Sequence, residues 1–268
     1  MVDHLDEDLT SSRFQRVDLS GSRFQLAHLN GVEFSFCELV DTRFRIVEMT
    51  GVVMRGVELH NVEISGDIGN LTINGVEVKE LVEAELDRRH PERVQLRALG
   101  KVDDFRAMWE TIERLWADTT ARAGRLPEQV RQERVDGEWS FAETLRHLLF
   151  ITDAWASRTI LDEERPYHPL GVTQTWYKLA DSAALGIDHD ASPQYDEVLA
   201  ARADRMAVIR RVVDNLTDAE LGRICARTPA PGYPEEDRPV SECLWVVMEE
   251  EVEHHRYATR DLTTLEAR

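Results

Sequence analysis

Cysteine is scarce in this chain: Cys37, Cys225 and Cys243 are scattered over 268 residues. An odd, scattered set argues against a disulfide framework and fits a reducing compartment. Long apolar runs are missing as well, so no segment has the length needed to span a bilayer, and no membrane partner is expected. The opening stretch MVDHLDEDLT is acidic and lacks an apolar run, so no secretory signal is expected and a cytoplasmic location is. Basic clusters are also lacking. With a net charge of −19, nucleic-acid phosphate is a poor partner. There is no G-x-S-x-G elbow, phosphate-binding glycine loop or C-x-x-C pair, which leaves serine hydrolase, nucleotide-binding and redox-disulfide chemistry without motif support. Hydrophobic residues make up 42% of the chain, ample for packed cores, and the length favours two domains.

From Phe14 a large apolar residue recurs at every fifth position: Phe14, Leu19, Phe24, Leu29, Phe34, Leu39 and Phe44, continuing through Met49, Met54, Leu59 and Ile64. Two positions before each sits a small or β-branched residue, among them Ser12, Val17, Ser22, Ala27, Val32 and Cys37. The period matches neither the helix (3.6) nor the strand (2.0). It suits a square-coiled solenoid in which each pentad makes one side, turns a corner and places its large residue on the axis. After Ile64 the phase slips by one residue and resumes at Ile68, Ile73 and Val78.

This pattern resembles the pentapeptide-repeat family. The resemblance implies a right-handed quadrilateral β-helix over residues 1–80, a rigid surface for binding or dimerisation. Some members of that family are acidic DNA mimics that bind topoisomerases; the shortness of this solenoid favours a structural or dimerising appendage. Residues 81–99 read as a capping helix or linker, with the run from Val78 to Val94 stopped at Pro91.

Residues 100–268 carry helical patterns instead. The first runs from about Asp103 to Ala123 on the stripe Phe105, Met108, Trp109, Ile112, Leu115 and Trp116. The second follows Ser140, with Glu143 placed to complete a capping box, runs from Phe141 to Ile160 and carries His147. A long irregular stretch then contains His168, Trp176, Tyr177 and His189, in a connection that reads as a crossover or a lid. The third helix runs from about Gln194 to Leu216, and the fourth follows Pro239, with Ser241 or a neighbour as its cap. Four such helices predict a four-helix bundle.

In the fourth helix the stripe Leu244, Val247, Met248, Ala258 and Leu262, extended through the charged middle, puts Glu251 and His255 on the buried face. A buried carboxylate needs compensation, and a divalent metal or a hydrogen-bond network supplies it. Residues four apart lie one turn apart on one side of a helix, so both can reach one ion. Glu250 and His254 share that separation; the stripe favours Glu251 and His255, and leaves Glu253 and His254 outward or on the rim. His147 can point into the bundle and complete a three-ligand site with open positions, the catalytic arrangement.

The segment WSFAETLRHL, followed at a distance by EVEHHR, resembles the DinB-like superfamily of metal-binding up-and-down four-helix bundles. Many members use three histidines, the last two in H-x-x-x-H. Here the first of that pair is Glu251, as in the similar mycothiol-dependent maleylpyruvate isomerases, which use histidine, glutamate and histidine. The resemblance implies His147, Glu251 and His255 as ligands to one divalent metal, zinc first, with nickel or iron as alternatives. It also implies a metal-dependent enzyme, a thiol S-transferase or isomerase with mycothiol as co-substrate and a small-molecule electrophile or thiol as partner, in a homodimer. The alternative is a non-enzymatic interaction module built on the solenoid. No cysteine stands at ligand spacing, so the thiol would arrive with a co-substrate. Arg256 and Arg260 read as charges complementing the helix dipole.

Overall fold

A computed structural model describes residues 4–268, in two compact units divided between Ile64 and Ser65. The division falls where the five-residue phase slips.

In the first unit the period is a property of the backbone. Every fifth residue, from Asp6 through Ser11, Arg16, Gly21, Leu26, Gly31, Phe36, Asp41, Ile46, Gly51 and Gly56 to Asn61, takes a left-handed conformation with φ between +52° and +74°. Bulky Leu26 and Phe36 and β-branched Ile46 adopt this region as readily as the glycines, so the corner is imposed by the repeat and not by residue type. Local hydrogen bonds support the turns: Ser12 N–H donates to Leu9 O (3.1 Å), Ser22 N–H to Leu19 O (3.0 Å), and Ser20 N–H to the Asp18 carboxylate (2.9 Å). The large residues expected on an axis are exposed, Phe14 by 61% and Phe24 by 65%. Among the described residues of this unit none is buried and none lies in a strand. The corner needs only local bonds, whereas filling an axis needs hydrogen-bonded stacking between coils.

The second unit opens with a hairpin, β1 (Thr72–Ile73) and β2 (Val76–Glu77), in antiparallel register Ile73 to Val76. Asn74 and Gly75, at φ +52° and +81°, form its turn, the pairing that a two-residue hairpin loop demands. Pro91 does not simply stop one helix. It separates α1 (Lys79–Arg89) from α2 (Glu92–Arg97), which it caps.

Next come α3 (Val102–Ala123), the short α4 (Glu128–Arg131) and α5 (Phe141–Ile151). On α3 the expected stripe is buried at Phe105, Met108, Trp109, Ile112 and Trp116, with Thr119 one turn beyond. The capping box of α5 is formed: Glu143 N–H donates to Ser140 Oγ (3.2 Å) and Ser140 N–H to the Glu143 carboxylate (2.8 Å). The helix expected to run unchanged to Ile160 widens at Thr152 into a π-helix, Thr152–Ile160, whose end is marked by Leu161 N–H donating to Ala156 O, five residues back (2.9 Å).

The long connection includes α6 (Leu179–Leu185) and is pinned from below by buried Arg146, whose guanidinium donates to Leu170 O, Ala191 O and Asp188 O. Gly171 leaves little room there: a Cβ would stand 3.1 Å from His168 O, a tight approach that requires the neighbouring backbone to give by a few tenths of an ångström. After α7 (Tyr195–Asp214) and α8 (Asp218–Leu221), the bridge between Ile224 and Pro239 leads into α9 (Val240–Glu266), with Pro239, two residues before Ser241, at the cap. The helices α3, α5 with its π-helical continuation, α7 and α9 pack on one another around a core that includes Trp109, Trp116, Leu145, Leu148, Ile209, Leu244 and Met248. Among the described residues no helix is long and apolar enough to cross a membrane.

Candidate metal centre

The apolar stripe of α9 buries Leu244, Val247, Met248, Val252, Ala258 and Leu262, and carries Glu251 (0% exposed) and His255 (7%) inside with them. Both meet protein partners there. The Glu251 carboxylate receives a short ionic hydrogen bond from Arg202 of α7, and His255 Nε2 lies 2.8 Å from Thr119 Oγ1 of α3, its ring edge-on to Trp116. Burial pushes the Glu251 carboxyl up, with the Arg202 charge and hydrogen bond opposing it.

His147 meets the neighbouring pair. Its Nε2 lies 3.5 Å from Glu250 Oε2, and the same oxygen is 3.1 Å from His254 Nε2. One ligand atom from each of His147, Glu250 and His254 lies within 4.8 Å of the others. The residues that the structure brings together are therefore His147, Glu250 and His254; Glu251 and His255, expected with His147, are held by Arg202 and Thr119 instead. The shift of one residue has a physical cause. Stripe positions point to the middle of the core, where α3 and α7 face them, whereas α5 supplies His147 along the flank of α9.

Three features prepare this cluster for a cation. The Nδ1–H of His147 donates to Val172 O in the long connection (2.9 Å), which fixes the ring and leaves the Nε2 lone pair toward Glu250. Burial, only partly offset by Glu250, holds His147 below the usual imidazole range and so keeps it neutral. Glu250 is pushed up by burial but more strongly down, to about 2, by the His147 and His254 imidazoles that face it, which keeps it ionised. Two imidazole nitrogens and one carboxylate oxygen are the donor set that zinc, nickel or iron accepts with positions left open.

Trp139, one residue before the α5 cap, lies against both imidazoles, with ring centroids 4.5 Å from His147 and 5.8 Å from His254. Tyr257 flanks His254 at 6.3 Å and is itself approached by Arg256 and Arg260. Those arginines are engaged by carboxylates, Arg256 by Glu253 (2.7 Å) and Arg260 by Asp261 (2.7 Å) and Glu138.

The remaining loop candidates have partners of their own. His168 N–H donates to the buried Asp153 carboxylate (2.7 Å) while its Nδ1 accepts from Leu170 N–H, and His189 sits 3.4 Å from Thr173 Oγ1. Tyr177 donates to Pro231 O (2.8 Å), and Trp176 is 62% exposed. Two residues escaped the sequence reading. Arg202 has a readable signal, an arginine four residues after Val198 on the apolar face of α7. Trp139 opens the segment WSFAETLRHL, but its position outside a helix gives no periodicity from which its contact with the imidazoles could be read.

A family model described as DinB superfamily matches residues 111–258, more than half of the chain, and one described as pentapeptide repeats matches eight copies over residues 8–45. No curated protein and no solved structure matches the chain.

Proposed function

Since the chain belongs to the DinB superfamily, we propose that His147, Glu250 and His254 bind one divalent metal, zinc first among the candidates, and that the protein is a metal-dependent thiol S-transferase or isomerase. The observation that carries this reading is the convergence of two imidazole nitrogens and one carboxylate oxygen from two helices within 4.8 Å. A bound divalent ion would supply Lewis acidity, able to lower the pKa of a water or of a small-molecule thiol to give a nucleophile at neutral pH.

The chain's own residues divide the remaining work. Val172 O fixes the His147 tautomer, Glu250 contributes a negative charge beside the two imidazoles, and Trp139 excludes water from their faces. The thiol arrives from outside, mycothiol being the first candidate, because Cys225 and Cys243 are buried against each other and Cys37 belongs to the other unit. The second unit is on this reading an up-and-down four-helix bundle, and the location cytoplasmic.

The test is metal analysis of the purified protein, followed by a thiol-consumption assay with mycothiol and a panel of electrophiles. One metal per chain and turnover lost in His147→Ala support the reading; a metal-free protein, or occupancy and turnover unchanged in His147→Ala, removes it.

The exposed Phe14, Phe24, Phe34 and Phe44 favour a second role, carried by the repeats alone. On this reading the repeats serve as a binding or dimerisation surface. Loss of self-association on deleting the repeats would support it, and unchanged sedimentation would count against it.

A further inference from the structure

Cys225 and Cys243 are far apart in the sequence but adjacent in the fold, with Sγ atoms 3.9 Å apart and exposures of 8% and 0%. Their backbones are fixed on the two sides of one short bridge. Cys225 N–H donates to Arg238 O (2.9 Å), Val240 N–H donates to Arg223 O (3.0 Å), and Cys243, in the first turn of α9, donates to Pro239 O (3.2 Å). Two sulfurs held at van der Waals distance need to close by only about 2 Å to reach a disulfide bond, a movement within the reach of side-chain rotation. Scattered spacing concealed this pair: the loop between the two cysteines folds back through the Ile224–Pro239 bridge.

The two thiols are chemically unequal. A hydrogen bond from Cys243, aided by the charge of Arg223, holds the Cys225 thiol below its ordinary range against the effect of burial, while the same hydrogen bond and burial push Cys243 up. Cys225 is therefore the better nucleophile and Cys243 the proton donor beside it.

We propose that Cys225 and Cys243 form a modification site at which a low-molecular-weight disulfide is reduced and an intramolecular disulfide is made. The Cys225 thiolate attacks one sulfur of the external disulfide and expels the other half as a thiolate, which takes up a proton. The Cys243 sulfur then attacks Cys225 Sγ as its proton passes to the departing sulfur, so that the second half leaves as a thiol. Two cysteine thiols are oxidised and one external disulfide becomes two thiols. The bond closes the loop that carries Tyr233, whose ring packs 5.4 Å from Trp176 and 5.9 Å from Trp155, onto the start of the helix that bears Glu250 and His254. This site does not depend on the metal reading.

The experiment incubates the full-length protein with oxidised glutathione, quenches with acid, alkylates after denaturation and maps the cysteines by mass spectrometry. The expected result is a cross-linked Cys225–Cys243 peptide pair lacking two hydrogens, with Cys37 outside the cross-link and carrying either the alkyl label or a single glutathione. In a folded Cys243→Ala variant, Cys225 instead accumulates a mixed disulfide with glutathione. Thermal unfolding of the wild type, oxidised against reduced, gives a second measurement and is expected to show a higher Tm for the oxidised form, because the cross-link constrains the unfolded chain. Alkylation of all three cysteines, a persistent mixed disulfide on wild-type Cys225, or identical Tm values would each overturn the proposal.

Discussion

His147 Nε2 and Glu250 Oε2, on different helices, stand 3.5 Å apart, and that separation joins α5 to α9 at the one cluster of donors able to hold a metal among the described residues. The adjacent Glu251 belongs to a different environment, closed by Arg202. Two carboxylates in successive positions thus have separate tasks, and substitution tells them apart.

Replacing Glu250 with Gln or His254 with Ala removes one of three proposed ligands and is expected to lower zinc affinity by at least ten-fold, the lower end of what even an outer-shell partner contributes. Replacing His255 with Ala loses a bond to Thr119 and no ligand, so affinity stays within a few-fold. Competition with a chelating dye measures both. Equal losses at Glu250 and His255 would contradict the assignment.

Glu251→Ala leaves the Arg202 guanidinium, 3% exposed, without its counter-charge. Breaking one side of a buried pair costs about 3–5 kcal/mol, so the urea midpoint is expected to fall steeply. The double variant Arg202→Met with Glu251→Leu should recover most of the loss, since no buried charge remains. A double variant as unstable as the single would show that packing, not charge, sets the effect.

Asp153, in the π-helix, is raised from 3.8 to about 6 by burial, against the opposing hydrogen bond and charge of Arg205 and the His168 N–H. The sign follows from proton counting. Between these two values the folded protein holds a proton that the unfolded chain has released, so stability falls as pH rises through this window. A shift of this size corresponds to about 3 kcal/mol. The stability of the wild type minus that of Asp153→Asn is expected to decrease from pH about 4 to pH about 6.5, read from urea unfolding at each pH. An increase over that range would mean that Asp153 is ionised throughout.

Ser140→Ala removes an N-cap that is 2% exposed and forms a complete capping box. The expected loss is about 1 kcal/mol. Because this cap orients the helix carrying His147, a modest drop in metal affinity should accompany it, and unchanged urea stability would show that the cap contributes nothing.

Helix positions were legible wherever local rules govern them. Phe105, Met108, Trp109, Ile112 and Trp116 announce α3 by spacing, Ser140 and Glu143 announce the start of α5, and the five-residue period announces the corners at Ser11, Arg16 and Gly21. Burial of Glu251 and His255 was equally legible from the stripe of α9. What the stripe cannot contain is which neighbouring helix faces each buried position. His147 approaches α9 from the flank and meets Glu250 and His254, an outcome of packing between elements far apart in sequence. The widening at Thr152 and the meeting of Cys225 with Cys243 are tertiary in the same sense, because neither changes the local pattern of residue types.

The most direct test of the metal centre is anomalous X-ray scattering from crystals of the zinc-loaded protein, since it locates the ion and its ligands together. The expected map has one peak per chain, within coordination distance of His147 Nε2, His254 Nε2 and a Glu250 carboxylate oxygen, with Glu251 still paired to Arg202. A peak between Glu251 and His255, or no peak in the helical unit, would contradict it.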